Sequence, residues 1–415
     1  MGLSFGLGLP PAPNKGGSFY AGWPLAFDFV NNKYRVGVGR GYSSSFLEQP
    51  GVTYARTGAD LLSYNPVTGK WQAFAANAPA LLTGAGQDIP EGTTNKCTNY
   101  NAAPTDLTNI TKSGDAAATL TVVDDTAALI AAGFGDLISA GKMNGKVYKL
   151  DNSAGSTVAS AKAEGSSGNT NTHAASAVIR GSGGYRLGVE NNSSLLPAPS
   201  AYQRVSYVGP ASFTSSRFYV EAQVGSIVYF ILNQLEEKAY ATNPVIVAGA
   251  AATRGAAQPV VTGLSSILTP PFTLVAVANL SAIDGVSRPL VRTGDGTASN
   301  FTGLTRSLGN VLTTDITAAG AWQPSALSRT GYTGPRLVKT ALRVRATSVK
   351  ASIDGFVGGE TGMTVPVTDR LYPGTNAISS AQVNSPLLFV GIAPDLTKAQ
   401  LQAITASNGA LTDFL

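Results

Sequence analysis

The stretch Arg217-Phe218-Tyr219-Val220-Glu221-Ala222-Gln223-Val224-Gly225-Ser226-Ile227-Val228-Tyr229-Phe230-Ile231-Leu232-Asn233-Gln234-Leu235 decides the fold class. In its first half Phe218, Val220, Ala222 and Val224 alternate with Tyr219, Glu221 and Gln223, the period-two pattern of a strand with one buried face. Ile227 to Leu232 is almost wholly apolar, as in a strand covered on both faces. Between them Gly225-Ser226 offers a two-residue turn, because glycine takes a positive φ without a Cβ clash, so the segment reads as a hairpin.

The same grammar extends in both directions. Phe272 to Leu280 is apolar without alternation. Lys339 to Ala346 and Val349 to Ile353 are joined by Thr347-Ser348, and Asp354-Gly355 turns into Phe356-Val357, which predicts a three-strand meander. Upstream, Leu25 to Val30, Tyr34 to Val38, Gly51 to Arg56 and Trp71 to Phe74 are short strands, the last preceded by the turn Asn65-Pro66-Val67-Thr68-Gly69. Ala116 to Gly133 is alanine-rich, yet the β-branched cluster Thr119 to Val123 and the break at Asp124-Asp125-Thr126 favour a strand and turn, with a short helical piece near Ala127 to Ala132. Near the C-terminus, Thr397 as N-cap, Gln400 three residues on and Leu396 against Leu401 predict a short helix through Ile404. No heptad run specifies a coiled coil.

The chain has 415 residues, 43% of them hydrophobic and only 13% charged, with 47 glycines and 23 prolines. That length allows two or three domains, and the punctuation suits many short strands. A single cysteine, Cys97, excludes an intrachain disulfide and reads as a buried thiol. Met1 to Gly17 lacks the basic start and unbroken apolar core of a signal peptide, and no run of roughly 18 apolar residues implies a membrane span. A net charge of +5, with both signs interspersed, supports no nucleic-acid surface. Leu3, Phe5, Leu7 and Leu9 lie in a Gly/Pro-rich arm unable to form its own core, and read as a docking peptide.

Catalytic chemistry finds little footing. The only histidine, His173, sits in the polar stretch Gly165 to Ser176, read as a surface loop, which suits neither a Ser-His-Asp relay nor a histidine metal site. Asp284, Asp295, Asp315, Asp354, Glu360 and Asp369 stand mostly in turn-like contexts, where aspartate ordinarily caps its own backbone. A glycosidase needs two opposed carboxylates, and calcium needs about six to eight oxygen ligands; neither pattern is visible, so no catalytic residue, metal or cofactor is assigned. Gly181-Ser182-Gly183-Gly184 lacks the Lys-Ser/Thr pair of a phosphate loop. Sugar recognition requires aromatic rings beside amides and carboxylates. Tyr185, Tyr202, Trp322 and Tyr332 are the glycan-binding candidates. Arg336, Lys339, Arg343, Arg345 and Lys350 alternate with apolar residues and read as a solvated basic face.

Two segments carry a family resemblance. Ile89-Pro90-Glu91-Gly92-Thr93-Thr94-Asn95 resembles the stretch that opens a carbohydrate-binding-module-like β-sandwich in many bacteriophage structural proteins, and Gln234-Leu235-Glu236-Glu237-Lys238 through Thr242 to Thr253-Arg254 resembles the one that closes it. Thr93, Thr94 and Lys238 stand where that pattern usually has Ala or Ser, Arg, and Gly. Phe272 to Leu280, Ala341 to Gly355 and Pro386 to Ala406 are similar to a laminin-G-like (concanavalin-type) sandwich.

The expected fold is all-β: tandem antiparallel, jelly-roll-like β-sandwiches with an extended N-terminal arm and a short C-terminal helix. Its expected divisions are an arm over 1–22, a small β leader over 23–90, the carbohydrate-binding-module-like sandwich over 91–254 and the laminin-G-like sandwich over 255–415. The resemblance implies a non-enzymatic virion protein, a tail-fibre, receptor-binding or head-decoration component that contacts other virion subunits and host surface polysaccharide. It also implies a homo-oligomer, with a trimer favoured. A cement or adaptor protein and a glycan depolymerase are the alternatives.

Overall fold

A computed structural model gives the structure of residues 22–406, apart from 39, 191, 281–286, 308, 333–334, 377–381 and 384. The arm with Leu3, Phe5, Leu7 and Leu9, and Asp284, lie outside the described residues. The fold is almost entirely antiparallel β-sheet, arranged as two sandwiches.

The first sandwich packs two five-stranded sheets. One runs Thr119–Asp124, Lys146–Asn152, Ser226–Glu236, Thr172–Ser182, Gln203–Pro210; the other runs Asn192–Pro197, Gly184–Val189, Phe218–Ala222, Ala159–Ala163, Ile110–Gly114. Alternation aims Tyr148, Leu150, Ile179, Val228 and Phe230 of the first sheet at Leu187, Phe218, Val220 and Ala161 of the second, and these make one core. The hairpin expected of Arg217 to Leu235 does not form. Phe218–Ala222 and Ser226–Glu236 lie in opposite sheets, and Gln223 to Gly225, with Gly225 at φ +78°, carries the chain across the core. Both neighbours of Ser226–Glu236 are instead distant in sequence, Lys146–Asn152 and Thr172–Ser182.

The second sandwich has a ten-stranded and an eight-stranded sheet. Phe272–Leu280 is central, between Arg336–Arg345 and Leu387–Ala393, and is buried along nearly its whole length, as an apolar run requires. The meander Arg336–Arg345, Ser348–Ile353, Phe356–Val357 forms as expected. Most strands between Leu25 and Asp88, all but the hairpin Leu61–Asn65/Lys70–Phe74, join this sandwich: Leu25–Asp28 pairs Leu387–Ala393, and Val52–Ala55 pairs Gln258–Val261. The helix Lys398–Thr405 starts with the Thr397/Gln400 capping box and places Leu401 and Ile404 on Val275, Val277 and Phe389. That helix explains why the basic face is solvated only in part, at Arg336 and Arg345. Lys339 and Arg343 are buried beneath it, bonding the carbonyls of Ala406 and Leu396, while Arg336, Arg345 and Lys350 pair with Asp354, Asp395 and Glu360.

Two local expectations change. The helical piece after Thr119–Asp124 continues through Ser139, kinked at Gly133, whose φ of +90° and close approach to the Gly69 carbonyl leave no room for a Cβ. It and the hairpin Leu61–Asn65/Lys70–Phe74 cover part of the first sandwich's outer face, with Trp71 stacked on Phe134. His173 is buried, not solvated, because the 165–171 loop folds back on it: Nδ1 meets the Asn171 carbonyl, and Nε2 lies 3.1 Å from the Ser167 carbonyl and 3.3 Å from Lys96 Nζ.

The chain enters the first sandwich through Thr93–Asn95 and leaves through Ala252–Arg254, and these two strands pair with each other. The seam around them is polar and buried. Asn95 and Asn101 both donate to the Asn233 and Val245 carbonyls, and Asn99 and Asn233 exchange reciprocal 2.9 Å amide bonds. Arg288 pairs with buried Glu91, which Lys238 also meets at 3.1 Å. Removing Arg288 takes the fully buried partner from Glu91 and leaves it the more exposed Lys238. Arg288→Met should therefore cost about 3 kcal/mol of stability, read as a lowered urea midpoint with unchanged slope; an unmoved midpoint would contradict this role for the pair. Cys97 lies in the same region, and burial pushes its thiol up to about 12. A thiol reagent at mildly alkaline pH should label it only after denaturation, and fast labelling of the native protein would contradict that burial.

Candidate functional site

The four aromatic candidates separate by sheet face. Tyr185 is 1% exposed, its ring pointing into the core of the first sandwich. Tyr332 is 2% exposed, its hydroxyl donating to Asp354 and Arg336 covering its ring. Neither presents a ring face to a sugar, because each lies against the hydrophobic core rather than in an open loop. Tyr202 is half-buried and donates to Asp125 at 2.5 Å. Trp322 is 64% exposed.

Trp322 stands on the edge strand of the eight-stranded sheet. Pairing fixes its direction: residues directly opposite in an antiparallel ladder project to one face. Trp322 faces Thr317, Thr317 faces Phe301, and Phe301 faces Gly294. The inward residues of these strands, Leu304, Leu312 and Ile316, belong to the core, so the Trp322–Thr317–Phe301–Gly294 line lies on the outer face. Two strand spacings separate Trp322 from Phe301, about 10 Å.

The next line contains Gly303 opposite Asp315, with Arg292 opposite Gly303. Arg292 spans the glycine to ion-pair with Asp315 and lies over the Phe301 ring, 4.4 Å from its centroid. Thr305 also donates to Asp315. At the end of the patch, Asn300 accepts from the Ala319 amide and Ser299 from the Gly320 amide, tying the loop before Phe301 to the turn before Trp322. The patch thus offers an open indole, a second ring, hydroxyls, amides and an Arg–Asp pair. Phe301, Arg292, Asp315 and Thr305 escaped the sequence reading because only strand register places them beside Trp322.

The other described acids considered for catalysis are engaged elsewhere. Asp295 accepts from the Thr297 amide and hydroxyl and from Asn300. Asp354 accepts from the Lys339 amide and Arg336, Glu360 from Ser348 and Arg343, and Asp369 faces Arg370. Among the described residues no group of three His, Cys, Asp or Glu side chains could hold a metal ion, and no helix is long and apolar enough to cross a membrane.

No known protein family matches the sequence, and no curated protein matches it. Solved structures similar to part of the chain include the CBM40 of Ruminococcus gnavus IT-sialidase bound to α2,3-sialyllactose, at 14% identity over 35% of this chain and 91% of that one, with a TM-score of 0.29. Trypanosoma rangeli sialidase with the inhibitor DANA is similar at 13% identity over 37% of this chain and 26% of that one, TM-score 0.30. Domain 4 of AbnA, an extracellular GH43 arabinanase of Geobacillus stearothermophilus in complex with arabinotriose, is similar at 14% identity over 36% and 73%, TM-score 0.30.

The chain has three tryptophans, of which Trp23 and Trp71 are buried. Iodide should quench only the Trp322 fraction of the fluorescence, and Trp322→Ala should abolish that quenching while changing stability by no more than about 0.5 kcal/mol. Tyr185→Ala, by contrast, should cost about 3–5 kcal/mol. Equal costs at the two positions would contradict the assigned faces.

Proposed function

We propose that the chain is a non-enzymatic component of a bacteriophage virion that attaches to host surface glycans, with the Trp322 face as the contact surface. The exposed indole carries this reading. A sugar's apolar C–H face stacks on an aromatic ring while its hydroxyls need donors and acceptors alongside, and Trp322 has Phe301, Asp315 and Arg292 on the same face. Stability gives no reason to leave that ring in water. The binding-only reading is supported by the engagement of Asp295, Asp315, Asp354 and Glu360 with their own donors.

The virion assignment rests on the two motif segments, whose pairing at one seam suits their role as the opening and closing of an inserted sandwich. The docking function of Leu3, Phe5, Leu7 and Leu9, the partner subunits and the trimer belong to the same proposal.

Trp322→Ala should weaken retention by host surface polysaccharide about tenfold, worth about 1.4 kcal/mol, with no reducing ends released by either protein. Undiminished retention would remove Trp322 from the site, and release of reducing sugar would replace attachment by cleavage. Deleting residues 1–17 should abolish incorporation into particles, measured by mass spectrometry of purified virions.

A further inference from the structure

We propose a second polysaccharide-binding strip, on the first sandwich, formed by Thr121, Lys149, Tyr229, Arg180 and Tyr202 and selective for uncharged, hydroxyl-rich polymers. Register builds it: Thr121 is opposite Lys149, Lys149 opposite Tyr229 and Tyr229 opposite Arg180, so the four side chains form one line across the sheet. The inward neighbours Leu120, Tyr148, Phe230 and Ile179 are core residues, which puts the line on the outer face. From Thr121 to Arg180 it crosses three strand spacings, about 14 Å.

That outer face has two halves. Val147, Ile231 and Val178 are buried beneath the helical segment and the Leu61–Phe74 hairpin, with Val123, opposite Val147, partly buried beside them. The neighbouring line is left partly open, with Thr121 exposed and Lys149, Tyr229, Arg180 and Tyr202 half-buried.

Its side chains hold one another. The Arg180 guanidinium lies over Tyr229 at 4.0 Å and over Tyr202 at 5.3 Å, and bonds Asp125 at 2.6 Å. Tyr202 donates to the same carboxylate. On the other flank Lys149 pairs with Asp151 at 2.8 Å and stands 5.8 Å from the Tyr229 centroid.

This arrangement selects the ligand class. Each cation already has its carboxylate, so an anionic polymer would have to displace Asp125 or Asp151 to gain a charge contact. A neutral sugar needs no displacement, because each hydroxyl both donates and accepts, and guanidinium, ammonium and carboxylate groups have more donor and acceptor sites than one pairing uses. Groups fixed before binding lose little entropy on contact, and a strip without net charge should bind almost independently of salt.

The test uses the full chain carrying Trp322→Ala, which silences the other face, in affinity electrophoresis. The gels contain dextran, yeast mannan or laminarin as neutral probes, and polygalacturonate or hyaluronate as acidic ones. Retardation is expected with at least one neutral polymer, changing less than about twofold across a tenfold rise in salt. Arg180→Ala should lower apparent affinity about tenfold. Thr121→Trp should do likewise by obstruction, and because Thr121 is exposed its melting temperature should stay at the parent value. The strip is overturned if no neutral polymer retards the protein, if retardation occurs only with acidic polymers and vanishes in salt, or if Thr121→Trp binds like its parent. None of these outcomes bears on the Trp322 face, which is assayed with the strip intact.

Discussion

Glu236 brings a carboxylate into a solvent-free seam, and four donors meet it there: the Thr93 hydroxyl at 2.6 Å, the Gln234 amide at 2.7 Å, and the Thr242 amide and hydroxyl at 2.7 and 2.8 Å. A buried charge survives only with such satisfaction. The donors come from both sides of the insertion, so the acid can be satisfied only when the entering and leaving strands lie together. Arg254, fully buried and still basic at about 10, bonds the carbonyls of Asn243 and Glu91 across the same gap. Two of the residues that depart from the family pattern serve the seam directly, Thr93 on Glu236 and Lys238 on Glu91.

This seam explains what could be read in the sequence and what could not. Strand-forming segments were legible wherever the pattern is local: the Phe272–Leu280 run, the Asp354-Gly355 turn and the Thr397 capping box all depend on residues a few positions apart. Partners were not. Ser226–Glu236 looks like half of a hairpin because Gly225 can turn, but whether the turn returns the strand beside its predecessor or sends it to the facing sheet is set by the long-range strands that claim its edges. The strands Leu25–Asp28 and Val52–Ala55 were visible for the same local reason, and their membership of the second sandwich was hidden because their partners lie more than two hundred residues away.

The binding candidates show the same limit at the level of single rings. Tyr185 and Tyr332 sit among glycines and polar residues that suggest loops, yet each belongs to a core, since an aromatic ring fills a sandwich interior as readily as it caps a rim. Trp322 lies in comparable sequence and is exposed because its two-residue strand is the last of its sheet. His173 inverts the case: a polar neighbourhood suggested solvent, but the loop folds over the ring, with the Asn171 carbonyl at Nδ1 and the Ser167 carbonyl and Lys96 Nζ at Nε2.

The two proposed faces share a construction that follows from sheet geometry. In each, an arginine crosses to a neighbouring strand, covers an aromatic ring and pairs with a carboxylate: Arg292 with Phe301 and Asp315, Arg180 with Tyr229 and Asp125. A flat sheet face cannot enclose a ligand, so contact area per site stays small and affinity must come from repetition. Repetition helps only when the sites keep their relative placement, because a freely jointed second site contributes at a concentration that falls with linker length. The Glu236–Thr93–Arg254 closure joins the two sandwiches through paired strands and buried hydrogen bonds rather than a loose tether. A tightly satisfied polar seam, costly to assemble, would keep the two proposed surfaces at a fixed separation on one chain.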